Sequence, residues 1–96
     1  MAVDIPRAVP RAAEVRFLLD ADASPGLLPR LLQPFARREL IASRMWSHLG
    51  PQGMHVEIAV MAIDAVEANL VEGNLRQVIG VRQVLRVDPE CLRHAA

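Results

Sequence analysis

The sequence predicts an α+β fold in which four strands and two helices follow the order strand, helix, strand, strand, helix, strand. Apolar residues alternate in the strand segments and recur with a period near 3.6 in the helical ones, and a Gly-Pro-Gln-Gly connector divides the middle strands. The chain has 96 residues, 52% of them hydrophobic, which is sufficient for one core. Right-handed crossovers then place both helices on one face of a four-stranded antiparallel sheet, the ferredoxin-like arrangement.

The first strand is predicted over residues 14–22, where apolar and polar residues alternate. Its apolar face consists of Val15, Phe17, Leu19 and Ala21. We expect the folded domain to span residues 14–88. Residues 1–13 contain Arg and Pro where a signal peptide would need an apolar segment, so they are expected to form a flexible N-terminal arm. Residues 89–96 show no pattern and are expected to be a C-terminal tail.

The first helix is predicted to begin within Ser24-Pro25-Gly26. Its apolar stripe consists of Leu27, Leu28, Leu31, Leu32 and Phe35. Ser24 suits the N-cap and Pro25 the first helical position, where a missing N–H costs nothing. Pro34 lies inside the helix and is expected to bend it or to loosen a hydrogen bond.

Residues 43–49 and 54–63 predict two strands of a hairpin, joined by Gly50-Pro51-Gln52-Gly53. Asp64 then provides an N-cap, with Glu67 three positions on as in a capping box. The second helix is predicted to continue to about Val78, and its expected buried side consists of Val66, Leu70, Val71 and Val78. Gly80 ends it, and residues 81–88 predict the fourth strand.

Two helices can cover only one face of this sheet. The alternation places an apolar set on the other face, made of Leu18, Trp46, Met61 and Val84. Such a set is too apolar to be left in water. We therefore expect a partner to cover the open face.

Composition excludes several classes of function. The chain carries 11 basic and 11 acidic residues and three aromatic residues, whereas nucleic-acid binding favours a basic excess and stacking aromatics. No apolar run is long enough to cross a membrane. Cys91 is the only cysteine, so an internal disulfide is impossible and a reducing, cytoplasmic setting is expected. No nucleophile–base pair or phosphate loop is present, which predicts a protein without catalytic activity and without a cofactor.

One metal-site hypothesis comes from the hairpin. His55 and Glu57 share a face of their strand, and His48 could lie across from them, so a two-His, one-carboxylate cluster is conceivable. The alternative is a polar patch on a half-exposed sheet face. We favour the polar patch, because hairpin register alone does not bring three ligands together, and expect no metal.

The loop before the first helix is the candidate binding site. The first-turn amides of Gly26, Leu27 and Leu28 would point outward, with the positive end of the helix dipole behind them, which favours a small carboxylate. Gly26 lets another molecule approach the backbone. Asp22 has two interpretations: it accepts from the ammonium group of a ligand, or it accepts from the amides of the turn that follows.

At these residues the sequence resembles the ACT domains, and in particular the small regulatory subunit of acetohydroxyacid synthase. The stretch "SPGLLPRLLQPFARREL" is similar to that family's Pro-Gly-x-Leu-x-Arg…Phe-x-Arg-Arg-Gly pattern, and "NLRQVIGVRQVLRV" to its C-terminal pattern. The residues that carry the resemblance are Pro25, Gly26, Leu28, Arg30, Phe35, Arg37 and Arg38. It extends over about residues 14–88.

The resemblance implies a homodimer or larger homo-oligomer that binds a small amino acid at the interface and modulates a catalytic synthase subunit in branched-chain amino acid biosynthesis. The implied effector site consists of Asp22, Ala23, Ser24, Gly26, Leu27 and Leu28, with Ile41 and Ala42 of the partner subunit. Ala23 and Ile41 stand where that family has Asn, and Glu39 where it has Gly. The alternatives are a stand-alone amino-acid sensor and a dimerisation module without an effector, and Ala23 and Ile41 favour the latter of these two.

Overall fold

A computed structural model describes residues 14–89 of the chain. Its elements are β1 (Glu14–Ala21), α1 (Leu27–Arg37), β2 (Ala42–Gly50), β3 (Gly53–Met61), α2 (Ala65–Arg76) and β4 (Val81–Val87). The four strands form one antiparallel sheet in the order β2-β3-β1-β4, so the predicted ferredoxin-like βαββαβ fold is confirmed. The predicted arm and all of the predicted tail except Pro89 lie outside the described residues.

The core lies between the sheet and the two helices. The alternating face of β1 is buried as predicted, and the Phe17 ring packs edge-on against Phe35 of α1, with ring centroids 5.7 Å apart. Leu27 and Leu31 of α1 are completely buried beside them. Each such side chain contributes about 1.5–3 kcal/mol by burial, so this layer supplies most of the driving force for folding.

Helix α1 begins later than the sequence predicts. Gly26 is its N-cap and receives no side-chain cap, because Pro25 and Gly26 form a turn that is closed by the Leu27 N–H donating to the Ser24 carbonyl, at 3.1 Å. Ser24 therefore lies two residues ahead of the N-cap and does not cap the helix. Its hydroxyl instead accepts a hydrogen bond from the Arg30 guanidinium, at 3.1 Å.

Pro34 is buried inside α1, and the helix does not end there but continues to Arg37. The helix closes through a Schellman arrangement, in which the Glu39 N–H donates to the Ala36 carbonyl and the Leu40 N–H to the Phe35 carbonyl, at 3.0 and 2.9 Å. Glu39 occupies the left-handed position of this motif, with φ 58°. Glycine is the residue best suited to that conformation.

Helix α2 begins as predicted, with the Asp64 carboxylate accepting from the Glu67 N–H at 2.7 Å. The Glu67 carboxylate faces Arg38 at 3.5 Å, so this pair crosses from α2 to the end of α1. The predicted buried side is wrong for Val66 and Leu70, which are exposed.

The buried positions of α2 are Ala68, Val71 and Leu75, spaced three and four apart. At about 100° per residue, Val66 and Leu70 point away from that stripe. The helix ends at Arg76, and Val78 packs against the core from the turn that follows.

The predicted hairpin is confirmed, with Gly50 opposite Gly53. Strand β3 ends at Met61, before the predicted end, because Ala62 takes a left-handed conformation with φ 60°. Ile63, which was predicted to be part of the strand, lies beyond this turn and is still buried in the core.

A bulge between β1 and β4 overturns one prediction. Asp20 pairs with Gln83 but Ala21 pairs with Val81, so Arg82 is the extra residue and the alternation shifts by one position. Val84 is consequently in the core at 5% exposure, whereas Leu85 is 54% exposed on the open face. The placement of Val84 on the open face was wrong, and Leu85 takes that position.

Replacing Glu39 by glycine is expected to stabilise the protein by roughly 0.5–1 kcal/mol, because glycine adopts the left-handed C′ position without steric cost. Urea unfolding of Glu39→Gly and wild type measures the difference. Glu39→Ala is the matched control, since it removes the same side-chain charge but keeps the β-carbon. Equal stabilisation by both variants would assign the effect to the charge and contradict the backbone explanation.

Candidate functional site

The candidate effector loop, residues 22–26, connects β1 to α1 at the end of the sheet that also carries the β2–β3 hairpin. The Asp22 N–H donates to the Gly80 carbonyl at 2.8 Å, which ties the loop to the turn before β4. The Asp22 side chain is exposed, and its carboxylate lies 3.5 Å from the Arg82 guanidinium. Ala23 and Ser24 are exposed as well, so the loop presents its outer side to solvent.

Arg82, the residue inserted at the bulge, links three segments of the chain around this loop. Its Nη2 donates to the Gln52 carbonyl in the hairpin turn at 2.7 Å and to the Ala21 carbonyl at the end of β1 at 3.3 Å. Its Nη1 faces Asp22. A single side chain therefore fixes the hairpin turn and the last residues of β1 relative to each other. Neither contact was predicted from the sequence, because both follow from the bulge.

The start of α1 offers fewer donors than the sequence indicates. The Leu27 N–H is bonded to the Ser24 carbonyl, and Pro29 has no N–H. The Leu27 side chain is completely buried and belongs to the core. The amides of Gly26 and Leu28 are thus the candidate donors for a carboxylate.

Arg30 supplies positive charge at the same place. Its guanidinium folds back over the first turn, and a side chain at position 26 would meet its Nη1. Glycine at position 26 therefore leaves room for the Arg30 guanidinium to lie over the first turn of the helix. The electrostatics of the loop favour an anion, because the guanidinium adds to the helix dipole.

Ile41 and Ala42 lie at the other end of the sheet from the loop. Ala42 is opposite Val60, near the first residues of β1, whereas the loop follows the last ones. Ile41 is 84% exposed. Within one chain these residues therefore do not meet the effector loop.

Strand β2 is an edge of the sheet and carries apolar side chains on both of its faces. Met45 and Leu49 lie on the helix side, opposite Ile58 and Met54, yet both are exposed because neither helix covers this edge. Trp46, on the open face, is 56% exposed. An uncovered edge of this kind is a template for pairing with another strand.

The open face of the sheet is organised in rows that run across the strands. The register places Trp46, Glu57, Leu18 and Leu85 in an apolar row interrupted by Glu57, and His48, His55, Asp20 and Gln83 in the adjoining polar row. The predicted open-face positions of Leu18, Trp46 and Met61 fit this register. That a partner covers the face stays a prediction.

A charged network occupies the open face beyond the apolar row. The carboxylate of Glu14, which is buried, lies 2.9 Å from the Arg44 Nη2 and 2.9 Å from the Ser43 hydroxyl in the bulge of β2. The hydrogen bond to Glu14 raises the pKa of Arg44 above its usual value. Glu57 is 3.5 Å from Arg44 and 3.8 Å from Arg16, so its charge is balanced by two guanidinium groups.

The histidines of the hairpin have partners other than those of the hypothetical metal cluster. His48 lies opposite His55, as expected, but the His55 Nδ1 contacts the Asp20 carboxylate and the His48 ring stacks on Trp46. Glu57 faces arginines. Within residues 14–89 no three His, Cys, Asp or Glu side chains gather closely enough to hold a metal ion.

Comparison of the sequence with protein-family models gives no match, and neither does comparison with characterised proteins. Solved structures do match in fold. The ACT domain of GTP pyrophosphokinase from Chlorobium tepidum superposes with a TM-score of 0.67 at 11% identity, covering 77% of this chain and 96% of that one. The regulatory subunit of aspartate kinase from Thermus thermophilus gives 0.61 at 15% identity, and that from Thermus flavus 0.62 at 17%.

The two aspartate kinase matches extend over 78% and 80% of this chain. The chain spans only about half of those subunits, 51% and 52% of their length. At these identities the similarity shows the fold. The chain therefore has the ACT-type ferredoxin-like fold, and this part of the predicted resemblance is confirmed. Among the described residues no helix is long and apolar enough to cross a membrane.

Proposed function

We propose that this chain is a non-catalytic regulatory protein of the ACT type, which forms a homodimer and modulates a larger enzyme in a reducing cytoplasm. The resemblance of the α1 region to the small subunit of acetohydroxyacid synthase makes that synthase, and branched-chain amino acid biosynthesis, the candidate target. The fold supports the regulatory class, since matching structures include regulatory subunits of aspartate kinase. The uncovered edge strand β2, which ends in the hairpin at the same end of the sheet as the effector loop, is the observation that carries the proposal.

The edge strand β2 is the interface of the proposed dimer. If β2 pairs with β2 of a second copy about a two-fold axis, the two strands run antiparallel and the sheets become continuous. The start of one β2 then lies beside the end of the other, at the hairpin end of the sheet where the effector loop is found. This arrangement brings Ile41 and Ala42 of the partner subunit towards the effector loop, whereas the same two residues within one chain lie at the other end of the sheet. It also covers Met45 and Leu49.

The effector in this proposal is a small aliphatic amino acid. Its carboxylate would accept hydrogen bonds from the amides of Gly26 and Leu28 and would lie near the positive charge of Arg30. Its ammonium group would face Asp22. Ile41 of the partner subunit would cover the aliphatic side chain. All of these groups are at or near the surface of a single chain, so they are accessible before the dimer forms.

Two alternatives keep the same dimer. A module without an effector is favoured by Ala23, because an alanine cannot make the side-chain hydrogen bonds of an asparagine, each worth about 0.5–1.5 kcal/mol. A stand-alone sensor would bind an amino acid without any synthase. Of the next three experiments, the first and the third separate these alternatives from the proposal, and the second tests the dimer that all of them share.

Valine, leucine or isoleucine is expected to raise the melting temperature of the wild type. A ligand at about a hundred times its dissociation constant adds roughly 2.7 kcal/mol, and each kcal/mol shifts Tm by roughly 4–8 °C for a domain of this size. Gly26→Asp should abolish the shift by repelling the carboxylate, and it should fold, because the backbone at position 26 has φ −92° and the nearby Arg30 side chain is flexible.

Gly73→Asp is the matched control, since this glycine lies on the exposed side of α2 and a β-carbon added there would have no neighbour within 4 Å. An unchanged shift in Gly26→Asp would place the binding site elsewhere. No shift with any of the twenty amino acids would favour the module without an effector.

Met45→Glu is expected to convert the dimer to a monomer, because two carboxylates would be buried near each other at the β2–β2 junction. The folded chain should tolerate the change, since Met45 is exposed in it. Sedimentation of both proteins measures the mass. Ile79→Glu, at an exposed position in the turn before β4, should leave the dimer intact. A monomeric wild type, or an unchanged dimer in Met45→Glu, would contradict the edge pairing.

The purified chain is expected to change the turnover rate of an acetohydroxyacid synthase catalytic subunit from the same source when the two are mixed. Met45→Glu should be much less effective, since the proposed regulator acts as a dimer. Unchanged rates with the wild type would remove this synthase from the proposal and favour the stand-alone sensor if an amino acid still binds.

A further inference from the structure

A second concave site, separate from the effector loop, lies on the open face between the apolar and the polar row. It is a cavity of about 160 Å³ whose walls are Leu18, Trp46 and Leu85 and whose rim carries Asp20, His55 and Gln83. A more polar cavity of about 260 Å³ adjoins it and shares these three rim residues. All four strands contribute, so the site is formed by the register of the whole sheet.

The indole of Trp46 is held in place as one wall. It stacks on the His48 ring with centroids 5.9 Å apart and planes within 10° of parallel, while more than half of its surface stays open to solvent. Leu18 forms the floor, partly buried, and Leu85 the opposite wall. The walls thus form a slot with an aromatic side chain on one side and aliphatic side chains on the other two.

The charges around the slot select the ligand. Glu57, next to Trp46 in the row, is balanced by Arg16 and Arg44 and turned towards them. Arg82, in the adjoining cavity, directs its Nη2 to backbone carbonyls. Asp20 is the acidic group at the rim of the slot.

The Asp20 partner, His55, is itself exposed, and exposed pairs of this kind are worth at most about 1 kcal/mol. A ligand cation can therefore exchange with His55 at the carboxylate of Asp20 at little cost.

We propose that this cavity binds a small amine that carries an aromatic or branched apolar group. The ammonium group donates to the Asp20 carboxylate at the rim of the slot. The apolar group fills the slot over Leu18 and displaces water from it. An anion of the same shape is repelled by Asp20. The site does not depend on the proposed dimer or on the effector loop.

A protein partner on the same face is the competing occupant. The exposed apolar surface there is narrow, because Glu57 interrupts the row and the charged network borders it. A concave slot with a polar rim suits a small ligand better than a flat docking surface.

The test uses 2-phenylethylamine as the probe and the fluorescence of Trp46, the chain's only tryptophan, as the signal. A saturable change is expected, with a dissociation constant on the order of 1 mM for so small a ligand. The anionic 3-phenylpropionate should bind at least about fivefold more weakly. No saturable change with the amine, or equal binding of the anion, would overturn the proposal and favour the protein partner.

Asp20→Asn should weaken binding of the amine about fivefold, since it removes the charge and keeps the shape. Glu39→Gln is the matched control, because it removes an exposed acidic charge in the turn after α1, outside both cavities and the effector loop, and it should bind as the wild type does. Equal losses in both variants would assign the effect to the overall charge of the chain and overturn the proposal. Met45→Glu should bind the probe with unchanged affinity, so failure of the dimer and failure of this site are distinguishable. Circular dichroism verifies that each variant is folded.

Discussion

Burial of the apolar face of β1 is the constraint on which the other features of the structure depend. Phe17 and Leu19 are buried in the core, and the edge-on contact between Phe17 and Phe35 joins the centre of the sheet to α1. Because β1 lies between β3 and β4, its register sets the faces of both neighbours. The opposite side of β1 is then forced outward, which places Leu18 and Asp20 at the centre of the open face.

A one-residue bulge beside this strand has consequences at two candidate sites. Inserting Arg82 moves Val84 into the core and Leu85 onto the open face. It also places the Arg82 guanidinium where it joins the hairpin turn to the end of β1, next to the effector loop. Bulges commonly redirect side chains near functional positions in this way. The loop and the slot on the open face are therefore both shaped by the same local irregularity.

The unpaired edge and the open face suit different kinds of contact. The edge strand β2 presents backbone groups and exposed side chains such as Met45, which favours pairing with an identical strand. The open face presents a slot with Trp46 and Asp20, which favours a small ligand. Both lie outside the core, so changes there can alter binding with little effect on folding. This separation is consistent with the many functions that a single ferredoxin-like fold supports.

The sequence by itself determined the order of the elements, the core face of β1, the stripe of α1, the hairpin and the cap at Asp64, because each follows from a local period or a local hydrogen bond. Only the tertiary structure decided the face of Val84, since a bulge exists only relative to the strand it pairs with. The contact of Asp20 with His55, residues far apart in the chain, likewise needs the register of β1 against β3. Leu70 of α2 is exposed because the sheet selects one of two overlapping apolar stripes, a choice that helical periodicity alone leaves open.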